Sequence, residues 1–346
     1  MTNINKLSEK GQSIWLDSLS KQMIESGDLK NLIDQGITGV TSNPSIFEKA
    51  IGSSDSYDKK ILELSKNNND PKDIFENLAT DDIRNAADIL EEVYKKTNSM
   101  DGFVSLEVDP FLANDFEETI NEAKKLWDKV DRKNLMIKIP GTQEGIMATK
   151  HLLEEGINVN VTLLFSFDSY KKTLEAFIES KNKNINSKSV ASFFISRIDT
   201  AVDQIIDNKN KFFHNMAIIN AYKAYSFFQD KKNNMGENFQ KLLWASTSVK
   251  AKDLEQDYYS KNLPFENTVN TLPLETIDYL LKSDLNLSSE SELSKSFNNL
   301  YQESKDHFDF QSITESLLIN GINLFQDSYK SVLDTIDEKV SKLIKK

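Results

Sequence analysis

Cysteine is absent from all 346 residues, so the chain has neither disulfide staples nor thiolate metal ligands. Arginine is nearly absent as well: Arg84, Arg132 and Arg197 are the only three, in a chain rich in lysine. A formal net charge of −12 with no segregated basic patch repels nucleic acid at long range, and no nucleic-acid partner is expected. An acidic protein that handles an anionic substrate must do so with a few locally placed cations, which makes the position of each arginine informative. The three histidines, His151, His214 and His307, fall in helical or loop stretches and read as surface or packing residues, so no imidazole metal site is expected. No apolar run reaches the roughly 18 residues that would span a bilayer, and no membrane association is expected. The segment Met1 to Lys10 lacks the apolar stretch of a secretory signal, which makes the cytoplasm the expected location. Neither a Gly-x-x-x-x-Gly-Lys-Ser/Thr phosphate loop nor a Gly-x-Gly-x-x-Gly turn occurs, leaving a nucleotide site unsupported.

What remains, 38% hydrophobic and 28% charged residues, is the composition of a soluble globular protein. Eight short β-like runs alternate with helical stretches: Ile14 to Asp17, Gly39 to Asn43, Phe103 to Asp109, Leu135 to Pro140, Val159 to Phe165, Val190 to Ser196, Leu242 to Ser248 and Thr268 to Leu272. Alternation of this kind predicts an α/β fold with a parallel sheet, and eight units are what a closed (β/α)8 TIM barrel needs. The stretch from Phe47 to Gly102 must hold more than one additional helix between the second and third strands. Asp168 to Lys171 reads as the cap of a helix carrying Tyr170, Leu174, Phe177 and Ile178, and a helix from Thr149 to Glu155 stops at Gly156. Residues 283–296 read as a Ser/Asn-rich loop and Ile313 to Leu343 as helix. With no internal repeat and no dividing linker, one barrel domain over 1–346 is expected, with 277–346 a mainly helical C-terminal extension.

Lys138 is the informative residue, because it interrupts the otherwise apolar run Leu135-Met136-Ile137-Lys138-Ile139-Pro140. A buried ammonium without a partner costs several kcal/mol unless it loses its proton. Two-residue periodicity places Met136, Lys138 and Pro140 on one face and aliphatic residues on the other. The same test groups Asn160 with Thr162, Ser105 with Glu107 and Asp109, Thr41 with Asn43, Trp15 with Asp17, Ser192 with Phe194, and Trp244 with Ser246 and Ser248. Such alternation usually marks a half-solvated strand. In an α/β alternation both sheet faces are covered, so these polar groups must satisfy one another or a ligand. Barrel enzymes carry their catalytic groups at the C-terminal strand ends.

A lysine in a desolvated pocket can be neutral and can attack a carbonyl to form an imine, an electron sink that needs no metal or organic cofactor. A carboxylate that removes a proton from a neighbouring hydroxyl then drives carbon–carbon cleavage, and Asp17 and Glu107 are the leading acid/base candidates. A structural ion pair with Lys138 is the plainer reading of those carboxylates, and it leaves Asn43, Asn160, Thr162, Ser192 and Arg197 without a role.

These residues lie in segments that resemble the transaldolase family. Gly39-Val40-Thr41-Ser42-Asn43-Pro44-Ser45-Ile46-Phe47 is similar to its first signature, and the run from Met136 to Ile146 to its second, which carries the Schiff-base lysine. The likeness extends from Ile14 to Pro273 and is greatest to the longer bacterial and plant-type branch. It implies that Lys138 holds a dihydroxyacetone unit as an imine, that Asp17 moves the C4 hydroxyl proton, and that Glu107 acts through a water positioned by Thr162. It further implies that Asn43, Asn160 and Ser192 bind hydroxyls and the intermediate, that Phe194 caps the site, and that Arg197, Ser246 and Lys250 hold phosphate. The expected reaction transfers dihydroxyacetone from sedoheptulose 7-phosphate to glyceraldehyde 3-phosphate, giving erythrose 4-phosphate and fructose 6-phosphate in the pentose phosphate pathway. Ser248 in place of glycine, Ala251-Lys252-Asp253 in place of Asn-Pro, and Gly141 in place of alanine depart from the family pattern.

Two alternatives stand beside this reading. A fructose-6-phosphate aldolase-like enzyme releasing free dihydroxyacetone belongs to a shorter branch with a tyrosine near the imine, where this chain has Phe194 and Glu107. A non-catalytic barrel paralogue should have lost at least one of the groups just named. The sequence leaves monomer and homodimer open.

Overall fold

The computed structural model describes residues 2–183, 186–233, 235–284, 286–287 and 290–345. Eight strands close into a barrel in sequence order: β1 (Ser13–Leu16), β2 (Gly39–Thr41), β3 (Val104–Glu107), β4 (Leu135–Pro140), β5 (Val159–Leu164), β6 (Ser189–Phe194), β7 (Lys241–Ala245) and β8 (Thr268–Leu272). Every neighbouring pair is parallel, including β1 with β8, so no edge is left open. The expected (β/α)8 TIM barrel is the observed fold.

Register fixes which side chains share the interior. Trp15 pairs with Gly39 and with Thr271, Ser105 with Met136, and Lys138 with both Glu107 and Asn160. The interior is split along the barrel axis. At the N-terminal end the buried rings of Trp15 and Phe103 lie 6.3 Å apart, and Trp15 Nε1 donates to Asp101 Oδ1 at 2.8 Å. Gly39 makes room for this plug, since a Cβ there would come within 2.5 Å of the indole. Polar side chains occupy the C-terminal end, where a barrel enzyme does its chemistry.

The outer face of the strands is apolar and packs under the helices. Phe193, for example, meets Tyr170 of the helix Phe167–Ser180 edge to face at 6.2 Å. Trp244 belongs to this layer, against Phe193 at 6.3 Å and Phe265 at 6.1 Å, with its Nε1 donating to the Leu263 carbonyl. It therefore does not stand on the inner face that alternation assigns to it together with Ser246 and Ser248. Strand β7 ends at Ala245, and Ser246 takes φ +53°, a left-handed conformation that resets the alternation.

The stretch after β2 folds into three α-helices, Pro44–Gly52, Asp58–Ser65 and Pro71–Lys96. The cap of Phe167–Ser180 is Ser166, whose Oγ accepts from Ser169 N at 3.1 Å, rather than Asp168. The helix before Gly156 spans Gln143–Glu154, longer than expected because Thr142 caps it. The segment read as a loop over 283–296 is helical from Glu290 onward (Glu290–Ser304), while Leu285, Ser288 and Ser289 lie outside the described residues. A final helix, Phe310–Ile344, crosses the C-terminal mouth of the barrel. Among the described residues no helix is long and apolar enough to cross a membrane.

Candidate active site

Strand β4 is buried along its whole length, and Lys138 extends from its inner face at 5 % exposure. Its ammonium donates to the Ser42 carbonyl at 3.1 Å and lies 3.5 Å from Glu107 Oε2. The Ser42 carbonyl is presented because Ser42 Oγ donates to the Ser105 carbonyl, fastening the end of β2 to β3. Glu107 is itself buried, with its side chain 4 % exposed. Burial pushes its carboxyl up to about 7, the nearby Lys138 charge opposes the shift, and the Asp17 charge adds to it. Long separation and full burial make this pair unlike a surface ion pair, and it leaves Glu107 Oε1 without a hydrogen bond among the described residues.

Next to Lys138 on β5, Asn160 is fully buried and spans its neighbours. Its Nδ2 donates to Ser105 Oγ at 3.0 Å, and its Oδ1 accepts from Ser192 Oγ at 2.6 Å. Thr162, one inward position further along β5, has a buried Oγ1 with no hydrogen bond among the described residues. Two buried polar oxygens with no partner among the described residues, Glu107 Oε1 and Thr162 Oγ1, thus occur on the inner faces of β3 and β5, which flank β4. Across the barrel, Asp17 Oδ1 accepts from Thr41 Oγ1 at 2.7 Å, and Thr41 shares a second 2.7 Å hydrogen bond with Thr271.

Phe194 and Arg197 form a separate group at the end of β6. The guanidinium carbon lies 5.4 Å from the Phe194 ring centroid, and Phe194 meets Phe165 at 5.1 Å. Arg84 binds Asp81 and two backbone carbonyls, and Arg132 binds Asp88. Arg197 alone of the three has no carboxylate partner among the described residues, and partial burial lowers its guanidinium pKa. A half-buried cation left unpaired in an acidic protein is suited to an anionic ligand.

The structure thus brings together Lys138, Glu107, Asp17, Asn160, Thr162 and Ser192 within the mouth, with Phe194 and Arg197 at its rim. Other expected residues sit differently. Asn43 lies beyond β2 as the N-cap of the helix Pro44–Gly52, its Oδ1 accepting from Ile46 N at 3.1 Å, which leaves its amide nitrogen for a ligand. Ser246 faces Ser196, with 3.2 Å between hydroxyls. Lys250 is exposed, in the loop that follows β7. Asp109 leaves the inner group to pair with Lys72 at 2.6 Å. Sequence reasoning missed the Ser42 carbonyl, Thr271 and Phe325. Alternation along β8 would have found Thr271, whereas a backbone carbonyl and a helix remote in sequence leave no such pattern.

Residues 14–336 match the family described as Transaldolase/Fructose-6-phosphate aldolase. The transaldolase of Trichodesmium erythraeum is 41% identical, with 96% of each chain covered. Transaldolase 2 of a Nostoc species is 39% identical over 99% of both chains, and the transaldolase of Mycobacterium ulcerans 35% identical over 99% of this chain and 98% of its own. Likeness of that extent, spanning all eight strands and the helix across the mouth, puts the chain in the transaldolase/fructose-6-phosphate aldolase family.

Proposed function

We propose that this enzyme transfers a dihydroxyacetone unit between sugar phosphates through an imine on Lys138. The observation that carries the reading is the buried ammonium itself: Lys138 contacts one carbonyl and one distant carboxylate in the catalytic end of the barrel, a costly arrangement for structure alone. The amine adds to the C2 carbonyl of a ketose phosphate, water leaves, and the iminium forms. Asp17 then takes the C4 hydroxyl proton, the C3–C4 bond breaks, the aldehyde departs, and the electron pair rests on the enamine. An acceptor aldehyde adds at the same carbon, its oxygen recovers the proton from Asp17, and water releases the new ketose.

Glu107 moves protons during imine formation and hydrolysis, and its displaced titration near neutrality suits that work. The partnerless oxygens of Glu107 and Thr162 support a bridging water between them. Asn160 and Ser192, with the amide nitrogen of Asn43, bind the hydroxyls. Arg197 holds the phosphate, with Ser246 beside it and Lys250 from the loop that follows. The substrates that suit the reading are sedoheptulose 7-phosphate and fructose 6-phosphate as donors, with glyceraldehyde 3-phosphate and erythrose 4-phosphate as acceptors. The electron sink and the acid/base groups all come from the chain, so the reaction as written calls on no metal or organic cofactor.

Borohydride reduction in the presence of fructose 6-phosphate tests the covalent step. Peptide mass spectrometry should find the reduced three-carbon adduct on Lys138, and Lys138→Ala should lose both adduct and activity. An adduct on another lysine, or an active Lys138→Ala, sinks the assignment.

A further inference from the structure

The helix Phe310–Ile344 buries a stripe at helical spacing that includes Gly321, Phe325, Tyr329, Val332 and Ile336. Two of these residues meet the active site. The ring centroid of Phe325 lies 5.7 Å from Lys138 Nζ, and the side chain is buried. One turn earlier, a Cβ at Gly321 would come within 2.9 Å of Leu163 Cδ2 and 3.6 Å of Arg197 Nη1, so the helix backbone itself approaches the guanidinium. Leu163 reaches upward because β5 shifts register there and Leu163 takes φ +59°.

The ring is fixed from the side of the mouth built on β2 and β3. Gln326 Nε2 donates to the Pro110 carbonyl at 3.2 Å, Ser328 and Ser45 share a 2.7 Å hydrogen bond, and Ser331 donates to Glu48 at 2.6 Å. Tyr329 meets Phe75 edge to face at 5.4 Å. These contacts run from the loop after β3 to the helices after β2, on one side of β4, while Gly321 meets Leu163 of β5 on the other, so the roof spans both sides of the lysine. A ring face toward the nitrogen favours a cation there and displaces water from it.

We propose that Phe325 is a specificity-determining residue that keeps water from the Lys138 imine and thereby sets how often bound dihydroxyacetone passes to an acceptor aldehyde rather than leaving free. The inference rests on the Lys138 imine proposed above. In the release step the enamine carbon takes a proton to give the iminium. One water then adds to the iminium carbon, the C–N bond breaks, and free dihydroxyacetone and the Lys138 ammonium are the products. Transfer consumes the same enamine by adding the acceptor aldehyde first and takes up its water only afterwards, to free the completed ketose, so water that reaches the three-carbon intermediate before an aldehyde does shifts the partition toward release.

Free dihydroxyacetone release from fructose 6-phosphate and transfer to erythrose 4-phosphate are measured side by side for the native chain and for Phe325→Leu, Phe325→Val and Phe325→Ala. The ratio of release to transfer should change little in the leucine variant and rise progressively to roughly tenfold in the alanine variant. Should the alanine variant fail to fold, leucine and valine carry the comparison. A ratio unchanged across the folded variants, with activity and melting temperature falling together, overturns the proposal and makes the ring a packing residue. Borohydride labelling of native Lys138 separates the two readings: labelling with an unchanged ratio defeats the roof alone, whereas no labelling defeats the imine and the roof with it.

Discussion

Glu107 and Lys138 are held in opposition by the same burial. Removing water from a carboxylate raises its pKa, and the lysine beside it restrains that rise without cancelling it, leaving Glu107 at about 7. As carboxylate, Glu107 can take a proton from the attacking amine; as acid, it cannot. The value of kcat/KM for fructose 6-phosphate should therefore fall as pH drops below about 7. Glu107→Gln should remove that limb and lower the rate by about 10²- to 10⁴-fold, as loss of a general acid/base does. An unchanged pH profile in the variant assigns the limb to another group. Lys138 was legible in the sequence because an ammonium in an apolar strand stands out against its neighbours. The titration of Glu107 was not legible, since it depends on Lys138, Asp17 and whatever covers the mouth, which come from other strands and from beyond the barrel.

Asn43 belongs to the element scale, where one side chain caps a helix and keeps an amide nitrogen for the proposed substrate site. Its oxygen caps the helix Pro44–Gly52, with Pro44 suited to the first helical position. Asn43→Ala should lose the cap at a cost of about 1 kcal/mol and lose activity as well. Asn43→Ser keeps a capping oxygen but no amide donor, so its urea midpoint should stay near native while kcat/KM for fructose 6-phosphate falls. Equal loss of stability in both variants would make the capping account wrong. Two-residue periodicity read the inner faces of β1 to β4 and β6, and of β5 as far as Thr162, because regular strands obey it, and it fails at Leu163, where β5 shifts register. It misplaced Trp244, whose strand ends in a left-handed serine, and Asp109, which sits past the end of β3. Helical periodicity likewise found the last helix and not the Ser/Asn-rich one before it, since serine and asparagine favour turns as readily as a packed helix.

Stability of the whole molecule carries a pH signature from carboxylates far from one another in sequence. Asp199 accepts from Ala217 N at 2.7 Å and from the Tyr259 hydroxyl at 2.9 Å, and burial raises it to about 7. Asp82, bonded to Tyr57, is raised to about 7 for the same cause. A folded pKa above the unfolded one means that the native state holds the proton more tightly. The stabilisation is complete below about pH 4 and is lost as pH rises through 7, an effect on the order of a few kcal/mol per group. Asp199→Asn keeps an acceptor and can donate to the tyrosine oxygen, so its melting temperature should match the native value near pH 4 and exceed it increasingly toward pH 8. A difference independent of pH contradicts this account. Composition and periodicity by themselves determined the parallel barrel, the inward face of each regular strand and the position of the buried lysine, because those follow from local alternation that any eight βα units must satisfy. Only the tertiary structure decided the proton affinity of Glu107, the lack of a carboxylate partner for Arg197 among the described residues, and the ring over Lys138. Each of these depends on distances between segments remote in the chain, and only closure of the barrel beneath its final helix sets those distances.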